Sequence, residues 1–177
     1  MNIVTMGRRA SGKITDVYDS CVIFTFNLTS ISTLTVTANN NNVTNYLEKL
    51  IIDGIEYPVE KNYSHTFNNG SHKIGWKLNT TIIYLNIIPS LQTTGDVYIP
   101  ANITEIKDGT IQQPLVTRSL NKAYCYAAIP PIMTNGNSIY LWYPNGTRSI
   151  SIPKGSRNAY IAATGWKKYP SALKDLL

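Results

Sequence analysis

Glu48 to Leu78 reads EKLIIDGIEYPVEKNYSHTFNNGSHKIGWKL, and its reading decides the fold. Leu50 and Ile52 alternate up to Asp53-Gly54, and Ile55, Tyr57 and Val59 alternate away from it. Alternation at period two marks a half-buried strand. Asp-Gly between two such runs marks a tight hairpin, because a primed turn needs positive φ and Gly supplies it without strain. Tyr63, His65 and Phe67 alternate next, then Asn68-Asn69-Gly70-Ser71 offers a second turn, and His72, Ile74, Trp76 and Leu78 alternate back. The expectation is two successive hairpins with one apolar face, to be covered by another layer.

Working outward, Val22, Phe24, Phe26 and Leu28 give a strand within 13–28, and Leu34, Val36 and Ala38 give another. Asn39 to Asn42 read as a loop by turn chemistry. Residues 43–49 suit a short helix or a lead into the next strand. About six strands up to Leu78 predict an immunoglobulin-like β-sandwich over 13–80.

Past Leu78 the texture changes. Val97-Tyr98-Ile99 stops at Pro100, residues 123–129 at Pro130-Pro131, Ile139 to Tyr143 at Pro144, and Ile150-Ser151-Ile152 at Pro153. Short strands that recur and end at proline predict a short, irregular solenoid-like β segment over 81–153. Ser156 suits an N-cap, 157–164 favour a helix, and Gly165 suits the position after it. Pro170 fits the first turn of a second short helix carrying Leu173, Leu176 and Leu177. Residues 154–177 are therefore expected to form a helical cap. The fold class is mainly β.

The chain has 177 residues, 43% hydrophobic but only 15% charged. Charged residues are scarce against an ordinary share of about 25%. Asn, Thr, Ser and Tyr take their place. A surface of amides, hydroxyls and phenols suits a particle or an extracellular setting, and also follows from an Asn-rich genome. Net charge is +6, without one dense basic face interleaved with aromatics, so nucleic acid is not the expected partner. No apolar run reaches the roughly 18 residues of a membrane span, and residues 1–12 lack the apolar core of a secretory signal. Residues 1–12 contain Gly7, Arg8, Arg9, Ser11 and Gly12. They read as an extended arm, either frayed or anchoring on a partner.

Chemistry-bearing residues are few. Cys21 and Cys125 form no CxxC pair and read as buried free thiols, with one long-range bridge as the alternative. His65 and His72 would share a face with Phe67, Ile74 and Trp76, half-buried and without a third metal ligand. Asp16 and Asp19 have no partner acid at glycosidase spacing. Asn27, Asn79, Asn102 and Asn145 begin N-x-S/T triplets, which this composition produces by chance. No nucleophile motif or phosphate loop is present, so an enzyme is not expected, nor a cofactor. Tyr140-Leu141-Trp142-Tyr143 sets Tyr140 and Trp142 on one face and Tyr143 on the other. Such aromatics pack cores and also enrich interfaces. The expected partner-binding residues are Arg8, Arg9, Lys13, Tyr140, Trp142 and Tyr143.

Ile152-Pro153-Lys154-Gly155-Ser156, Ala159-Tyr160, Ala163, Gly165-Trp166 and Tyr169 resemble the closing segment of BspA-type leucine-rich-repeat proteins. Val97 to Ile106 resembles one repeat of that family. Ile51 to Gly54 and Gly70 to Ile74 resemble the small β-module that often precedes such repeats. The composition is also similar in style to virion proteins of phages of gut Bacteroidetes. Together these imply a structural virion protein of a tailed phage, as capsid decoration, head fibre or tail component. It would bind other copies of itself or a capsid or tail protein, as an oligomer in an assembly. The alternative is a bacterial cell-surface adhesin or carbohydrate-binding module of BspA type.

Overall fold

The computed structural model describes residues 17–36, 46–83, 95–107, 120–133 and 149–176. The chain is mainly β. In order, its strands are β1 (Cys21–Leu28), β2 (Ser32–Thr35), β3 (Leu47–Ile52), β4 (Ile55–Tyr57), β5 (Ser64–Phe67), β6 (Gly70–Leu78) and β7 (Ile82–Ile83). Then follow β8 (Gly95–Ile99), β9 (Glu105–Ile106), β10 (Leu120–Cys125), β11 (Ile132–Met133) and β12 (Ser149–Ile152). Among the described residues, helix α1 (Arg157–Ala162) and a 3-10 turn at Trp166–Lys168 precede β13 (Leu173–Asp175).

The expected first hairpin forms. β3 and β4 pair antiparallel with Ile52 opposite Ile55. Asp53 has φ 50° and Gly54 φ 86°, the two positive values of a type I′ turn. The expected second hairpin does not form. β5 pairs with β2, placing Leu34 opposite His65. β6 instead lies between β1 and β3. Asn68-Asn69 therefore carries the chain from one sheet to another. Turn chemistry allowed the reversal, but the apolar faces of β5 and β6 found separate partners.

Eight strands make one sheet in the order β13-β12-β10-β8-β1-β6-β3-β4. The half around β1 is antiparallel. From β8 onward the ladders are parallel. Val97 lies beside Ala123, Ala123 beside Ile150, and Ile150 beside Leu173. A second parallel ladder keeps step with it: Ile83 lies beside Ile106, and Ile106 beside Met133. Each passage of the chain thus adds one strand to the large sheet and one to the three-stranded sheet β11-β9-β7.

The expected helix after Pro170 is corrected: Leu173–Asp175 is strand β13, parallel to β12. Proline fits a helix start, but burying Leu173 against the sheet edge outweighs local preference in so short a piece. The first helix forms as expected, although Ser156 gives its hydroxyl to Pro153 O at 2.6 Å rather than capping α1.

One apolar cluster runs through the whole sheet. Phe24, Trp76, Val97, Ala123, Ile150 and Leu173 supply its inner face, and the two small sheets cover it. Phe26 meets Phe67 edge-on at 5.3 Å, which docks the β2–β5 pair. Both buried indole N–H groups among the described residues are satisfied: Trp76 Nε1 donates to Val36 O at 3.0 Å, and Trp166 Nε1 to Pro131 O at 2.7 Å. Cys21 and Cys125 are buried and are not joined in a disulfide, as expected.

Candidate functional site

The outward face of this sheet carries a small apolar cluster of Tyr18, Cys21, Ile23 and Ile51, and turns polar toward Thr25 and Asn27. In register, Thr25 stands between Lys73 of β6 and Asp96 of β8, and Asn27 stands opposite Ser71. An open cleft of about 460 Å³ lies over Thr25, between the ends of five strands.

Three side-chain pairs line it. Ser71 Oγ donates to Asn27 Oδ1 at 2.5 Å. Asn121 Nδ2 donates to Asp96 Oδ1 at 3.1 Å. His72 Nδ1 pairs with Asp53 Oδ2 at 2.8 Å, while the Lys73 amide donates to Asp53 Oδ1 at 2.8 Å. The I′ turn aims Asp53 at β6, and Asp53 N donates back to Lys73 O at 2.9 Å. The hairpin that organises the fold therefore also builds one wall of the cleft.

His72 is held on its other side as well, where Nε2 lies 2.9 Å from Asn68 O. Its ring packs on Phe26 and Phe67, with centroids 5.5 and 5.0 Å away. Both ring nitrogens of His72 thus sit against oxygen partners, which fixes the orientation of the ring at the cleft wall. His65 lies on the same aromatic run, 4.7 Å from Phe67 and 4.9 Å from Tyr57. Burial pushes its titration below the usual imidazole range. Among the described residues no group of three His, Cys, Asp or Glu is placed to hold a metal ion.

Beside the cleft, Tyr98 and Tyr124 stack at 4.6 Å with planes 5° apart. Burial raises both phenols, and a hydrogen bond with Thr25 works against it at Tyr98. Lys73 turns its ammonium away over the Tyr18 ring, 3.9 Å from the centroid.

Arg8, Arg9, Lys13, Tyr140, Trp142 and Tyr143, expected to bind partners, lie outside the described residues. Sequence reading singled out His72 but missed the cleft. Asn27, Asp53, Asp96 and Asn121 come from separate strand ends, and no linear spacing unites them. Comparison with protein-family models, curated proteins and solved structures finds no match to this chain.

Proposed function

We propose that this chain is a non-catalytic structural protein of a tailed-phage virion, attached to other copies of itself or to a shell or tail protein. The observation that carries this reading is the exposed apolar connection between β10 and β11. Tyr126, Ile129 and Ile132 are 45%, 84% and 64% exposed there. Three exposed large apolar side chains within seven residues suit a protein contact site. The low-charge, amide- and hydroxyl-rich composition supports a particle setting.

In the same reading the two in-step parallel ladders are the coils of a short BspA-like solenoid. The helix and 3-10 turn are its cap, and β1 to β6 are the immunoglobulin-like module. The arm at 1–12, with Lys13 beyond it, would anchor the chain through Arg8 and Arg9. The aromatics Tyr140, Trp142 and Tyr143 would add a second contact.

Quantitative mass spectrometry of purified particles should find the chain in fixed stoichiometry, and its absence there overturns the proposal. Ile129→Asp combined with Ile132→Asp should abolish incorporation while leaving the fold intact. The parallel ladder over the repeat-like segment favours one second reading, a BspA-type surface adhesin. Export to the cell surface with binding to matrix proteins would establish that reading instead.

A further inference from the structure

The cleft over Thr25 is enclosed by groups that are already oriented. Each of its three side-chain pairs holds its members in place, so a ligand would not have to order them on arrival. What remains open in those pairs is mostly acceptor capacity. Asp53 has both oxygens engaged. Asp96 has one, leaving Oδ2 without a partner among the described residues. Asn121 gives one amide hydrogen to Asp96 and keeps the other together with its carbonyl oxygen. Ser71 gives its hydrogen to Asn27 and keeps its oxygen lone pairs.

We propose that this cleft binds a neutral saccharide. Open acceptors on Ser71 of β6, Asp96 of β8 and Asn121 of β10 suit a ligand rich in donors, and vicinal hydroxyls supply them. An anion such as phosphate brings mainly acceptors, and its charge is opposed by Asp53 and Asp96. A single open carboxylate is too few to hold a divalent cation, which takes six or more oxygens. Of the two carboxylates in the cleft, Asp53 already has both oxygens engaged, so the single open one is too little to favour a polycation. A volume of about 460 Å³ is within the range of small-molecule sites and suits a mono- or disaccharide entering from solvent. With few apolar walls to add affinity, Kd is expected on the order of 1 mM. The proposal stands or falls independently of the virion reading, since it concerns the isolated chain.

The test is amide NMR of the full chain, titrated with maltose, cellobiose, lactose, mannobiose, xylobiose and chitobiose, and separately with sodium phosphate and spermidine. At least one sugar should give saturable shifts at the amides of Ser71, Lys73, Asp96 and Asn121. Asp96→Asn and Asn121→Ala should each weaken that binding at least tenfold, with shift dispersion elsewhere retained. Asn121 is exposed, so its variant carries the test if Asp96→Asn misfolds. Saturable shifts with phosphate or spermidine alone, none with any sugar, or undiminished sugar binding in both variants would overturn the proposal.

Discussion

Tyr18 lies across Gly75, with its ring where a side chain would otherwise stand: a Cβ at position 75 would come 2.5 Å from Tyr18 Cδ1. The same phenol accepts a hydrogen bond from Gly54 N at 2.8 Å and donates to Lys73 O at 3.3 Å. One residue before β1 thus ties the β3–β4 turn to the middle of the sheet. Gly75→Ala should push the ring off and cost about 1–3 kcal/mol, as overpacking does. Urea unfolding checks this through a double-mutant cycle. In a Tyr18→Ala background Gly75→Ala should be nearly neutral; strict additivity would show that the ring is not what fills the site.

Gly54 tests the turn itself. A Cβ built there meets nothing within 4 Å, so any penalty is backbone strain at φ 86°. Gly54→Val should lose about 1–3 kcal/mol. Gly54→Asn should lose less, since Asn tolerates the left-handed region. Equal melting temperatures for the parent and the Val variant would contradict the I′ turn.

That turn was legible because both of its strands are local and patterned. The neighbouring misreading is instructive for the opposite reason. Asn68-Asn69-Gly70 has equally good turn chemistry, yet β5 pairs with β2 and β6 with β1. Partner choice depends on residues thirty or more positions away, which no turn signal encodes. β13 was hidden likewise: Leu173-Lys174-Asp175 becomes a strand only because β12 offers it an edge. The cleft was least legible, since its pairs form only after β1, β3, β6, β8 and β10 are side by side.

Stability should fall on both sides of neutral pH. His65 is pushed down by burial, so the native state prefers the neutral ring. Its contribution is complete above the unfolded value of about 6.5 and is lost as pH falls through the lowered folded value. Cys125 and Tyr160 shift the other way. Burial raises the thiol, and burial together with the neighbouring thiol raises the phenol well above its usual range. Tyr160 donates to Ala127 O at 2.6 Å and lies 3.2 Å from Cys125 Sγ. For raised groups the contribution is complete below the unfolded values, about 8.5 and 10, and declines as pH climbs through the folded ones. Melting temperatures across pH should therefore form a plateau between roughly 6.5 and 8.5. His65→Phe should flatten the acid limb, and Cys125→Ala should delay the alkaline one. An alkaline limb unchanged in Cys125→Ala would remove the thiol from this account.

The final prediction concerns how the last strand is held. Arg157, at the start of α1, donates Nη1 to Leu173 O and Nη2 to Pro170 O, the latter at 2.8 Å. The planar fork spans two carbonyls at once, which a lysine ammonium cannot do with the same geometry. β13 otherwise rests on the fully buried Leu173, on Ile150 N donating to Ala172 O at 2.8 Å, and on Leu176 N donating to Ile152 O at 2.7 Å. Hydrogen bonds from a charged donor contribute about 1.5–3 kcal/mol, and 1.4 kcal/mol is tenfold in an opening equilibrium. Arg157→Lys should therefore speed hydrogen exchange at the Leu176 and Ile150 amides about tenfold or more. Amides in β1 and β6, across the sheet, should exchange as before, because opening at the edge leaves their ladder intact. If Leu176 exchanges at the parental rate, the ladder and Leu173 hold the strand without the fork. If β1 accelerates equally, β13 opens only with the whole sheet.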